Sequence, residues 1–230
     1  MSSRFSPRLL DPEILARLTV GRAELLERLV ENLSAAILSG HGRFDLLVGP
    51  RGVGKSHMLG LIEARVRAHP QLGERLVLVT LPEEFHASSL LHLLARVLDG
   101  LPESDAMPPV EAQLRLLRGR DTSEAIDMAV AMIRARLQGR ALLLMFENLD
   151  EIFAALGRKG QAQLRKIVQT EAGWSIFATA RTSLALTRQS EPFHGTFVVE
   201  QLKALAPVQC CEMLLRLAEV HERPELVDWL

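Results

Sequence analysis

The sequence predicts an α/β fold in three layers, with helices covering both faces of a five-stranded parallel sheet. Three observations predict it. Five short apolar runs alternate with helical stretches along the chain. The first of these runs enters a glycine-rich loop that opens directly into a helix. The third, Ala141 to Phe146, is apolar throughout and ends in acids, as a central strand with a functional tip would.

Each element can be justified in order. Residues 1–13 are expected to form an irregular arm. Leu25, Leu26, Leu29, Val30, Leu33 and Ile37 recur at helical spacing, which predicts an amphipathic helix over 23–38, ended by Ser39-Gly40-His41-Gly42. The first strand is 44–48. A helix follows the glycine loop to about His69, where Pro70 stops it. The second strand is 76–81, followed by a helix over about 88–98. Gly100 to Pro109 holds three prolines and two acids and is expected to be an exposed connection. Helices are predicted over 111–118, 123–137 and 161–171, with strands at 141–146, 174–179 and 196–200. From Pro207 the pattern is purely helical. Residues 1–200 therefore form one core domain, and 201–230 begin a second, helical part.

Composition sets bounds. A chain of 230 residues with 48% hydrophobic and 24% charged residues can bury a sizeable core. A net charge of −1 excludes a global field that would draw it to nucleic acid or membrane. The N-terminus lacks the apolar stretch of a secretory signal, and no window is long or apolar enough to span a bilayer. A soluble, cytoplasmic protein with no membrane partner is expected. Cys210 and Cys211 are adjacent, so no disulfide framework exists; two small side chains on a helix in a reducing compartment are expected. The seven histidines, His41, His57, His69, His86, His92, His194 and His221, show no metal-ligand spacing.

Gly49-Pro50-Arg51-Gly52-Val53-Gly54-Lys55-Ser56 matches the phosphate-binding pattern G-x-x-x-x-G-K-[ST] at every fixed position. Its glycines let successive backbone N–H groups point inward as an anion nest, and the helix that follows adds its positive end. Lys55 can reach the β- and γ-phosphates, and the Ser56 hydroxyl can ligate Mg²⁺. His57 follows immediately and is grouped with the nucleotide-binding residues. Near the third strand's end lies Glu147-Asn148-Leu149-Asp150-Glu151. A carboxylate there can sit beside Mg²⁺ and a second can polarise water, the Walker B arrangement. Glu147, Lys55 and Asp150 are the catalytic candidates, and Ser56 and Glu147 the metal candidates.

One extra strand, 76–81, separates the phosphate-loop strand from the acidic strand, which resembles the additional-strand class of P-loop ATPases. That resemblance implies the strand order 5-1-4-3-2. Leu18-Thr19-Val20-Gly21-Arg22-Ala23-Glu24-Leu25 resembles the box that precedes the phosphate-loop strand in AAA+ proteins of the origin-recognition type and in STAND signalling ATPases. In those families it lies near adenine, so Val20, Gly21 and Arg22 are implied on the base side. Ala178-Thr179-Ala180-Arg181-Thr182 resembles their sensor-1 strand, implying Thr179 and Arg181 as residues that feel the γ-phosphate. Leu202-Lys203-Ala204-Leu205-Ala206-Pro207-Val208-Gln209, with the helix through Leu215, resembles the entry to an AAA+ lid. Such lids are longer, so a fragment is expected, with a further effector, protein-binding or DNA-binding part beyond Leu230. The chain is similar to a bacterial-type ATPase between the origin-recognition and STAND types, and residues 147–150 also resemble the Asp-Asp-Leu-Asp of KAP-type P-loop NTPases. ATP rather than GTP is implied, and no Asn-Lys-x-Asp motif contradicts it.

One departure stands out. AAA+ proteins show Asp-Glu where this chain has either Phe-Glu or Glu-Asn. In the first alignment the metal acid is missing and Glu147 is the base. In the second Glu147 serves the metal and Asn148 replaces the base, with Asp150 or Glu151 as compensating acids. Two functions are therefore carried: an ATPase coupling hydrolysis to assembly or partner remodelling, and a nucleotide-gated switch with little hydrolysis. Arg115, Arg118, Arg120, Arg134, Arg136 and Arg140 are expected on solvated helix faces. Arg158, Lys159, Arg165, Lys166 and Arg188 are candidates for an arginine finger acting in trans in a homo-oligomer.

Overall fold

A computed structural model describes residues 11–103, 107–117, 122–182 and 189–220. The expected N-terminal arm before Asp11, Arg118, Arg120, Arg188, His221 and the lid segment after Val220 lie outside the described residues.

The elements are α1 (Pro12–Arg17), α2 (Ala23–Leu38), β1 (Phe44–Val48), α3 (Lys55–Arg67), β2 (Leu76–Leu81), α4 (Leu90–Asp99), α5 (Val110–Leu117), α6 (Thr122–Leu137), β3 (Ala141–Phe146), α7 (Leu149–Thr170), β4 (Trp174–Ala180), β5 (Val198–Gln201) and α8 (Pro207–Val220). The sheet is parallel in the order β2-β3-β4-β1-β5, which is the order 5-1-4-3-2 expected from the resemblance.

Alternation along the strands builds the three layers. Leu142, Leu144 and Phe146 of β3 face a core shared with α4, α6 and α7, while Leu143 and Met145 face one shared with α1, α2 and α3. Every residue of β4 is buried, because β4 lies between β3 and β1 and is covered on both faces.

The register aligns the functional tips. Val48 pairs with Ala180 and Gln201, Phe146 with Ala178 and Leu81. The glycine loop after β1, the acids after β3, residue 181 after β4 and the chain after Leu81 therefore emerge along one edge, where ligands meet open α/β sheets.

Two elements differ from the sequence expectation. Helix α1 begins at Pro12, inside the 1–13 stretch expected to be irregular, because Asp11 Oδ1 accepts from Glu13 N at 2.7 Å and Pro12 sits in the first turn. The helix expected at 161–171 begins at Leu149, with one non-helical residue inside it, Gly157. Gln161 Nε2 donates to Phe153 O at 2.8 Å across that break. The arginine expected on a solvated face, Arg136, is 2% exposed. It donates to Gln113 Oε1 (2.8 Å), Pro102 O (3.2 Å) and Pro108 O (2.6 Å), and so fastens the proline-rich connection to α6. No helix among the described residues is long and apolar enough to cross a membrane.

Candidate nucleotide site

The glycine loop leaves β1 with Gly49 N donating to Ala180 O at 3.2 Å. It ends at Gly54, which caps α3 with φ 95°. Its backbone conformation favours glycine there, and a Cβ would displace the tip of Arg22, whose Nη1 would lie 2.4 Å away. Lys55 is 8% exposed, and its Nζ donates to Gly49 O (2.8 Å) and Pro50 O (3.0 Å). Burial pulls its ammonium below the usual lysine value, opposed by the charges of Asp150, Glu83 and Glu147. Ser56 follows in the first turn of α3.

The box at 18–22 closes a second side. Arg22 Nη2 donates to Val53 O at 2.6 Å, tying the box to the loop. Val20 is buried. Gly21, at φ +64°, lies against Gln209 of α8, and a Cβ there would meet Gln209 Nε2 at 2.1 Å. Arg216 of α8 donates to Arg17 O (3.0 Å) and Thr19 O (2.7 Å). Together the box, the loop and α8 enclose a cavity of about 440 Å³. Its walls include Val20, Arg22, Pro50, Arg51, Gly52, Val53, Gly54 and His57, together with Leu18, Thr19, Leu205, Cys210 and Met213.

The acids stand at and after the tip of β3, outside the walls of that cavity. Glu147, buried at the tip of β3, accepts from Glu83 N at 3.2 Å through Oε2. Asn148 adopts the left-handed conformation (φ 53°, ψ 56°) at the start of α7, and its N–H donates to the buried Thr179 Oγ1 at 3.2 Å. Arg181 Nε donates to Asp150 Oδ2 at 3.2 Å, and Arg181 Nη2 lies 3.5 Å from Glu151 Oε1. Asp150 Oδ1 is buried without a hydrogen-bond partner among the described residues.

The register sets the strand tips that carry Gly49, Glu147 and Arg181 on one sheet edge, and Arg22 joins the box before α2 to the glycine loop at Val53 and Gly54. Sequence reading missed Thr19, Leu205, Cys210, Met213 and Glu83. The first four reach the cavity through long-range packing of the box and α8. Glu83 lies in an irregular stretch after β2, where no periodicity marks it. Of the expected trans-acting residues, Arg158 and Arg165 donate to the carbonyls of Ser190 and Pro192 in their own chain.

The donor set fits a magnesium-bound nucleoside triphosphate: the start of α3, one ammonium at Lys55, one hydroxyl at Ser56, and an unpartnered carboxylate oxygen at Asp150. No group of three or more His, Cys, Asp or Glu among the described residues could hold a metal. Phosphate oxygens and water would have to complete the shell of an ion held by Ser56 and Glu147.

No protein-family profile matches the chain, and no curated protein does. Solved structures do match it. The Aeropyrum pernix ORC1 protein, solved in complex with DNA, is similar over 87% of this chain and 50% of its own, at 18% identity and a TM-score of 0.62. The Aeropyrum pernix ORC2 protein in its ADP form is similar over 86% and 52%, at 17% identity and 0.67. Cdc6p from Pyrobaculum aerophilum is similar over 92% and 54%, at 14% identity and 0.62. The chain has the origin-recognition-like AAA+ P-loop fold, and it spans about half the length of these structures. These likenesses give no support to the bacterial affinity expected from sequence.

Proposed function

We propose that this chain binds Mg-ATP and couples its binding and hydrolysis to assembly or to remodelling of a partner. The observation that carries this reading is the continuity of the cavity walls. The loop that can cradle phosphates also lines a space of about 440 Å³, walled by Leu18, Val20, Leu205 and Met213, where a flat apolar base fits. In this reading the triphosphate lies along residues 49–56, with Lys55 exchanging its two carbonyl partners for phosphate oxygens. Mg²⁺, held through Ser56 and Glu147, would neutralise phosphate charge. Thr179 and Arg181 feel the γ-phosphate, and Asp150 orients Arg181. The Aeropyrum ORC2 protein solved with ADP supports a nucleotide in this fold, and the ORC1 protein solved with DNA makes DNA the first partner to assay. The experiment is ATP binding and turnover for wild type, Lys55→Ala and Glu147→Gln. Loss of binding in the first and loss of turnover in the second are expected; equal behaviour of all three would reject the reading.

A second reading has its own observation. In the alignment that gives Glu147 to the metal, Asn148 stands in the place of the second acid, and an amide cannot accept a proton from water. On that ground the chain is a nucleotide-gated switch, with ATP changing its oligomeric state and releasing no phosphate. Sedimentation with ATP, alongside phosphate release, separates the two.

A further inference from the structure

Arg22 caps the start of α2, where its carbonyl accepts from Leu26 N at 2.9 Å, so its Cα is fixed by a helix of 16 residues. Its side chain runs from there to the glycine loop, 31 positions further along the chain. Nη2 donates to Val53 O at 2.6 Å and reaches Lys203 O at 3.4 Å, on the chain that leaves β5. Nη1 lies against Gly54, 2.4 Å from where a Cβ would stand. A loop that cradles phosphates turns its N–H groups toward the anion and its carbonyls away. Each carbonyl turned away needs a donor behind it. Lys55 Nζ serves Gly49 O and Pro50 O, and Met58 N serves Gly54 O at 3.0 Å. Val53 O takes its donor from outside the loop and the helix that follows, from Arg22.

We propose that Arg22 is a positioning residue for the triphosphate, acting through the Val53–Gly54 peptide, and that it does not read the base. The proposal rests on the Mg-ATP reading above and gives Arg22 a different task from the base-side one implied by the resemblance. The peptide unit is planar and trans, so the Gly54 N–H points opposite to the Val53 carbonyl. Holding that carbonyl on the Arg22 side holds the Gly54 N–H on the other, ready for a phosphate oxygen before the nucleotide arrives. Without Arg22 the peptide is free to turn and set a carbonyl dipole against the phosphates. Lys55 gives up Gly49 O and Pro50 O when it turns to phosphate oxygens, whereas the Arg22 contact on Val53 O persists and keeps the shape of the loop. Lysine does not replace arginine here, because a planar fork is needed to serve the carbonyl with one nitrogen while the other lies against Gly54.

The test uses the full chain as wild type, R22K and R22M. Two ligands are titrated into each by calorimetry with Mg²⁺: ATP, and inorganic tripolyphosphate, which has the phosphates without the base. R22K keeps the charge and loses the fork; R22M keeps the stem and loses every donor. Both variants should bind both ligands about 10- to 100-fold more weakly than wild type, the worth of one charge-assisted hydrogen bond. The factor for tripolyphosphate should equal the factor for ATP within about threefold. A merely structural role would lower the number of binding-competent molecules and leave their affinity unchanged. A loss seen with ATP but not with tripolyphosphate would place Arg22 on the base and overturn the inference. Wild-type affinity in R22K would overturn it too, because charge alone would then suffice. So would a wild type that binds ATP but no tripolyphosphate, since the loop would not then hold phosphates by itself. Failure of wild type to bind ATP at all would instead overturn the Mg-ATP reading, and the role of Arg22 with it.

Discussion

Thr19 Oγ1 lies 3.0 Å from His57 Nε2, joining the box before β1 to the first turn of the phosphate-loop helix. Thr19 donates its single hydroxyl proton to Leu15 O at 2.9 Å, so the histidine nitrogen is the donor in that contact. The two walls of the cavity are thereby held at a fixed separation by one imidazole.

Burial, and then the neighbouring charge of Arg22, hold His57 below the ordinary histidine value. The unfolded chain therefore binds this proton at higher pH than the folded one. Folding stability should decline as pH falls below about 6.5 and go on declining to the depressed folded value. His57→Gln keeps a donor for Thr19 and removes the titration. Thermal unfolding from about pH 8 to about pH 5 should show a steeper acid-side loss in wild type than in the variant. Parallel curves would exclude His57 as the source.

Gly54→Ala should strain the loop backbone and displace Arg22. Its φ of 95° strains any side chain, and the new Cβ would lie 2.4 Å from Arg22 Nη1. A loss of about 1–3 kcal/mol in urea unfolding is expected. Displacement of Arg22 from Val53 O should also weaken ATP binding measured by titration. A variant with wild-type stability and affinity would contradict the geometry of the loop.

Arg136→Met removes a buried guanidinium and leaves Gln113 Oε1, Pro102 O and Pro108 O without their donor. The cost should be about 3–5 kcal/mol. Arg136→Lys should recover little, because one ammonium cannot reach three acceptors arranged around a planar fork. Chemical denaturation of both variants checks this, with full recovery by lysine as the contrary result.

Arg216→Ala deletes the two hydrogen bonds that clasp α8 to Arg17 O and Thr19 O. Local opening of α8 should become easier by about 1–2 kcal/mol. Amide hydrogen exchange should show faster exchange in 207–220 with β3 and β4 unchanged. Uniform acceleration across the sheet would point instead to global destabilisation.

Much of this protein was legible one segment at a time. Helical spacing of Leu26, Leu29 and Leu33 placed α2 at its observed bounds, and the apolar runs at 44–48, 76–81 and 141–146 became β1, β2 and β3. These signals are local, because burial on a helix or strand imprints a period of 3.6 or 2 on neighbouring residues. The pattern at 49–56 fixed the loop in the same way. Where a local rule was broken, the reading failed: Gly157 interrupts α7, and its first half went unseen.

The sequence by itself determined the strands, the glycine loop after β1 and the acids that follow β3. Only the tertiary structure decided which distant residues share the site. Glu83 meets Glu147 across 64 positions of chain, His57 meets Thr19 across 38, and Arg216 reaches Thr19 across 197. No periodicity records such contacts, because sheet order and register create them. The parallel sheet sets the ends of β1, β2, β3 and β4 side by side, and α8 closes on the box beside them.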